Sequence, residues 1–285
     1  MAHVPQATRM KLRERLRAGP ALALASLDTG ATPLREQAKG ELKEDIKQRE
    51  RKLTETVTAA IARQQEMFYA QHDMKLLIVL QGMDTSGKDG TVRSLCSGIN
   101  PMGLRAVQFK RPHEEEMDHD YLWRVHRRVP KRGEIALFNR SHYEDVLVPP
   151  VLGLIDEKIW QRRLAHIADF ERMLAESGTV IVKLFLHISK DEQRKRLQAR
   201  LDDPEKHWKF DEQDLAQRKL WSAFQNAYER AIRATDTDHA PWYVIPADSK
   251  THRNLLVASL VLEIMESLKL RYPAPNAHIG KLTVE

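Results

Sequence analysis

The chain has 285 residues, 42% of them hydrophobic, with a net charge of +6. That is enough to bury a substantial core in one large α/β domain or two small ones. No apolar run reaches the roughly 18 residues that span a bilayer, and the single cysteine, Cys96, excludes an internal disulfide framework. Lys11, Arg13, Arg15 and Arg17 interrupt any signal-like apolar stretch, so a cytoplasmic protein with no membrane partner is expected. The basic balance suits a polyanion, although charge of both signs makes this weak evidence alone.

Residues 1–34 carry Pro5, Gly19, Pro20, Gly30 and Pro33 and read as an irregular arm. From 35 to 72 the pattern is helical, with Leu42, Ile46, Leu53, Val57, Ile61 and Phe68 forming a core-facing stripe. The remainder, 35–285, alternates strands with helices as one domain. Predicted strands are 76–81, 104–109, 134–139, 179–188 and 242–246. Predicted helices are 88–98, 116–128, 156–176, 190–201, 211–233 and 250–270. Near-continuous apolar strands between helices imply a parallel sheet covered on both faces, with ligands at the carboxyl ends of the strands.

The first strand runs into Gly82-Met83-Asp84-Thr85-Ser86-Gly87-Lys88-Asp89-Gly90 and then a helix. Strand, glycine loop and helix N-terminus make a phosphate cradle of backbone N–H groups, with Lys88 adding charge. Phosphate contacts are expected from Gly82, Thr85, Ser86, Gly87, Lys88, Asp89 and Gly90. The Ser or Thr that usually follows the lysine and ligates Mg²⁺ is replaced by Asp89 and Gly90. Asp84 would repel phosphate unless a cation lies between them, so it is expected to organise Mg²⁺.

After the second strand, Lys110, Arg111 and Arg124 are candidates for a second set of phosphates, those of a nucleotide. Tyr121 and Trp123 read as packing residues, and His113, His119 and His126 lack zinc-ligand spacing. The third strand ends in Phe138-Asn139-Arg140-Ser141-His142-Tyr143-Glu144-Asp145, on the same edge as the loop. Arg140 can grip phosphate with a bidentate fork. Asn139 and His142 are candidates for nucleotide contact, and Asn139 and Glu144 for metal. The bland alternative is a helix cap.

Residues 194–212 pack cations around a break at Pro204. Arg196 and Arg200 share a helix face, and with Lys206 and Lys209 they read as a basic lid over the phosphate site. A solvated helix end is the plainer reading of the same charges.

With these three segments in view, the chain resembles a family-2 polyphosphate kinase over roughly residues 35–272. The resemblance rests on Gly82–Gly90, on Phe138–Asp145 and on Arg200-Leu201-Asp202-Asp203-Pro204-Glu205-Lys206-His207-Trp208-Lys209. It implies a three-layer α/β/α sandwich like that of nucleotide monophosphate kinases, with a helical lid over a mostly parallel sheet. It also implies phosphoryl transfer between inorganic polyphosphate and AMP, ADP or ATP, with Mg²⁺ or Mn²⁺. Asp84 and Lys88 take the loop roles and Arg200 that of the lid arginine. The Asn139 form looks like the subgroup using both AMP and ADP; many members have Asp there, and Glu144 or Asp145 would compensate as metal ligand. A homo-oligomer, dimer or tetramer, is expected. Asp84, Lys88, Arg140 and Arg200 are the expected catalytic set. The rival readings are an ATP-dependent small-molecule kinase on the same fold and a basic nucleic-acid-binding protein with a non-catalytic loop.

Overall fold

The computed structural model describes residues 11–36, 40–276, 278, 279, 282 and 284. Its centre is a five-stranded sheet in the order β2-β3-β1-β4-β5. The strands are β1 (Lys75–Gln81), β2 (Leu104–Gln108), β3 (Ile135–Asn139), β4 (Thr179–His187) and β5 (Trp242–Pro246). Every neighbouring pair is parallel, so all five carboxyl ends open on one edge. Buried on both faces, β1, β3 and β4 read as apolar runs for that reason.

Two helical layers cover the sheet. One contains α1 (Leu12–Leu16), α2 (Lys43–Gln71), α3 (Lys88–Cys96) and α11 (Lys250–Ser267). The other contains α6 (Glu144–Val151), α7 (Glu157–Glu176) and α10 (Trp221–Thr235). The short helices α4 (Glu114–Met117) and α5 (Trp123–His126) follow β2. Helix α8 (Lys190–Leu201) follows β4, then a 3₁₀ turn, Pro204–Lys209, and α9 (Glu212–Lys219).

Four expectations change. The helix predicted over 116–128 is two short helices, because the Asp120 carboxylate accepts the N–H groups of Leu122 and Trp123 and starts a new turn. The helix predicted over 211–233 breaks at Leu220 into α9 and α10. Leu42 lies before α2 and is exposed, while Ile46, Val57, Ile61 and Phe68 are buried. Within the arm, whose residues 1–10 lie outside the described set, α1 and the 3₁₀ turn Leu24–Ser26 are ordered elements. Arg17 pairs with Asp236 at 2.8 Å, and the Leu12 N–H donates to Glu263, which fasten the arm to α10 and α11.

A buried polar knot braces the turn after β3. Lys183, in the middle of β4, donates to Glu171 Oε2 (2.5 Å), the Tyr143 hydroxyl (2.9 Å) and the Thr235 carbonyl (2.7 Å). Glu171 Oε1 also takes Tyr143 OH (2.9 Å) and His142 Nε2 (3.1 Å). Burial pushes the Lys183 ammonium down, and Glu171 opposes that shift. Burial also opposes charge on Glu171, yet Lys183 and His142 hold its carboxyl below the ordinary range. Lys183→Met leaves Glu171 without its cation and is expected to cost about 3–5 kcal/mol. A melting curve by circular dichroism reads it. Adding Glu171→Leu is expected to recover part of the loss, because an apolar pair replaces an orphaned charge.

Candidate active site

The loop Gly82–Gly87 leaves β1 and enters α3, placing a helix N-terminus at the carboxyl edge of the sheet. For its N–H groups to face an anion, its carbonyls must turn inward, and buried carbonyls need donors. Side chains supply them residue by residue. Lys88 Nζ donates to the carbonyls of Gly82 (2.7 Å) and Met83 (3.2 Å). Gln193 Nε2 takes that of Asp84 (3.2 Å). Arg196 Nη1 takes those of Thr85 (2.9 Å) and Ser86 (3.0 Å), and Arg253 Nη1 also reaches Ser86 (3.1 Å). Gly87 sits at φ +102°, and a Cβ there would lie 1.9 Å from Arg253 Nη1. Both the backbone and the arginine therefore require glycine.

Arg140 is the second component. It stands just past β3 in the left-handed region, at φ +64°, an uncommon conformation for a residue with a side chain. Its guanidinium bridges Asp84 (2.6 Å) and Glu144 (2.9 Å). Glu144 and then Asp84 raise its affinity for its proton further, against burial. The bridge draws together the acidic residue of the loop and the first turn of α6. Ser141 stitches the same turn to β1 by accepting from Gln81 Nε2 (3.1 Å) and the Tyr143 N–H (3.2 Å).

The lid residues meet this edge from α8 and α9. Arg200 donates to the Lys209 carbonyl (2.9 Å) and lies 3.4 Å from Asp214. The Asp214 carboxyl is pushed up to about 6 by burial and by the nearby Asp84 charge, which Arg200 opposes. Asp214 thus stands within reach of the Asp84 charge, outside the cationic run that marks the lid in the sequence. Gln193 belongs to no motif, yet it stands three residues before Arg196 and shares its helix face.

Asp84, Lys88, Arg140 and Arg200 gather at one edge, with Gly82, Thr85, Ser86, Gly87, Asp89 and Gly90 around the loop. Asn139 ends β3 beside them, its amide donating to Asp89 Oδ1 at 2.6 Å. Three expectations are corrected. His142, expected to touch nucleotide, is completely buried and faces Glu171. Arg196, expected to touch phosphate, is buried and spends its donors on loop carbonyls, on the carbonyls of Ala247 and Asp248, and on Glu192. Arg124, expected to neutralise nucleotide phosphates, is buried over the Phe109 ring and braced by the Lys110 carbonyl, Glu116 and Asp145. Lys110 and Arg111 are exposed just beyond β2. Lys206 pairs with Asp203, and Lys209 lies over the exposed Trp208 ring.

The family model for Polyphosphate kinase 2 matches residues 43–273. The chain belongs to the polyphosphate kinase 2 family. Among relatives, a protein of Meiothermus ruber named AMP/ADP-polyphosphate phosphotransferase is 55% identical over 221 residues, covering 78% of this chain and 83% of that one. An ADP-polyphosphate phosphotransferase of Rhodopseudomonas palustris is 42% identical over 241 residues, 80% of this chain and 83% of the other. The crystal structure of Polyphosphate Kinase 2 from Arthrobacter aurescens TC1 superposes with a TM-score of 0.87 at 41% identity, covering 93% of this chain and 92% of its own. The five-stranded sheet between helical layers is therefore the family's fold. Among the described residues no helix is long and apolar enough to cross a membrane.

Lys88 carries a pH signature. Burial and then Arg140 lower it from 10.5 to about 8, while Asp84, Glu144 and Asp89 oppose. Below about pH 8 the folded chain holds this charge at a cost, and that cost is relieved between about pH 8 and 10.5, where the unfolded chain binds more protons. Anion binding runs the other way, since it needs the ammonium. Calorimetric affinity for tripolyphosphate is expected to fall as pH rises above about 8, and Lys88→Met is expected to flatten that part of the profile.

Proposed function

We propose that the chain transfers phosphoryl groups reversibly between inorganic polyphosphate and adenine nucleotides, making ADP from AMP and ATP from ADP. The observation that carries this reading is the Asp84–Arg140–Glu144 bridge beside Lys88, in a chain of the polyphosphate kinase 2 family. The name of the Meiothermus ruber relative supports the choice of both acceptors.

Phosphoryl transfer asks for alignment and for neutralisation of charge spread over the equatorial oxygens. The loop N–H groups hold the transferring phosphates, and Lys88, with two of its three donors on the Gly82 and Met83 carbonyls, turns the third toward them. A phosphate oxygen of AMP or ADP attacks the terminal phosphorus of the chain, the P–O anhydride bond breaks, and the shortened chain keeps the electron pair. The attacking oxygen is already ionised near neutral pH, so no strong base is required. Arg140, released from its carboxylates, and Arg200, brought by the lid, stabilise the transition state. Lys110 and Arg111 approach the acceptor.

The residues fit Mg²⁺ or Mn²⁺. Two carboxylates, Asp84 and Glu144, flank one point that the Arg140 cation occupies, and hard oxygen donors suit these ions. Among the described residues no three His, Cys, Asp or Glu side chains form a cage, so on this reading water and phosphate oxygens would complete the ion's shell. Asp84 would hold it, with Glu144 and the Asn139 carbonyl oxygen as further donors. When bound, it neutralises phosphate charge. The reading also includes a cytoplasmic location, a homo-oligomer, and no nucleic-acid or membrane partner.

AMP, polyphosphate and Mg²⁺ with enzyme free of adenylate kinase should yield ADP first and ATP later, as resolved by chromatography. No early ADP would remove AMP as acceptor, and ADP without ATP would restrict the reaction to monophosphates. Asp84→Asn and Lys88→Ala are each expected to cut turnover by about 100-fold or more while circular dichroism stays unchanged. Arg200→Ala should lower kcat more than it raises KM, because its contact forms on closure. A change in KM alone would make Arg200 a binding residue.

A further inference from the structure

Arg253 is a buried cation for which the chemistry above has no use. It is 3% exposed at the start of α11. Its guanidinium donates to the Ser86 carbonyl (3.1 Å) and to Asn254 Oδ1 (2.8 and 3.2 Å). All three acceptor contacts are neutral, and among the described residues no carboxylate forms an ion pair with it. Its charged neighbours make this worse. Arg196 meets the same Ser86 carbonyl, and Glu192 pairs with that arginine. Burial and then Arg196 push Arg253 down from 12.5 to about 9. Lys250, in the first turn of the same helix, is pushed down by the protein around it, then by Arg196, with Arg253 adding to the effect.

An unpaired buried charge destabilises a fold unless something compensates it. On the other face of the loop that Arg253 touches lies the anion cradle. Arg253 Nη1 would lie 1.9 Å from a Cβ at Gly87, and Nη2 3.3 Å from one at Gly90, so the guanidinium lies directly against the entry to α3. We propose that the phosphate chain held by the loop is the counter-ion of Arg253. On this view the arginine is a positioning residue that strengthens anion binding through the loop, and the ligand-free fold carries its charge at a cost. The proposal rests on the reading of the loop as a polyphosphate site.

Arg253→Gln keeps a donor for the Ser86 carbonyl and removes the charge; Arg253→Lys keeps the charge and loses the fork. Calorimetry with tripolyphosphate at low salt and thermal melting without ligand separate the possibilities. The Gln variant should bind about tenfold or more weakly, and the Lys variant within about threefold of the wild type. Without ligand the Gln variant should melt at or above the wild-type midpoint, a sign that a simple structural brace would reverse. Equal affinities of the Gln and Lys variants would overturn the proposal. So would a Gln variant that fails to fold or melts well below the wild type, because a neutral donor is claimed to suffice for the ligand-free chain. A wild-type protein that does not bind tripolyphosphate would instead defeat the polyphosphate reading itself.

Discussion

The constraint on which the rest depends is directional. A loop can offer its N–H groups to an anion only if its carbonyls find partners on the other side. Here those partners are long cationic or amide side chains from α3, α8 and α11, which hold the loop from beneath. The same donors that satisfy the backbone also put positive charge behind it, so hydrogen bonding and electrostatics favour the same ligand. Arg140 extends the arrangement to the turn after β3, where two carboxylates hold its cation near the loop.

The order of the sheet explains why these parts meet. β1 lies between β3 and β4, so the loop after β1 is flanked by the Arg140 turn on one side and the start of α8 on the other. The polar knot around Glu171 and Lys183 fixes the first neighbour from within the core. The backbone of the Arg140 turn is uncommon, and it needs such support to persist.

Much of this was legible in the sequence. Apolar runs gave five strands nearly to the residue, and the glycine loop announced its own chemistry by composition and spacing. Direction inside the fold was not legible. Arg196 and Arg200 are four residues apart on one helix, yet the first turns to loop carbonyls and the second to the lid. His142 lies between Arg140 and Glu144 in sequence, yet it enters the core, because the turn after β3 sends neighbouring side chains to opposite sides. Arg253 belongs to no motif. Its role follows from a close approach between segments that no local pattern encodes.

The bond from Arg253 to the Ser86 carbonyl joins positions 167 residues apart. During synthesis the glycine loop leaves the ribosome long before the helix that completes its underside. A chain that ends before α11 has the motif and the Lys88, Gln193 and Arg196 donors but lacks the second donor to the Ser86 carbonyl. The underside of the loop is thus completed only by one of the last helices of the domain, so a chain cut short before α11 would keep the motif and lose the cation packed against Gly87.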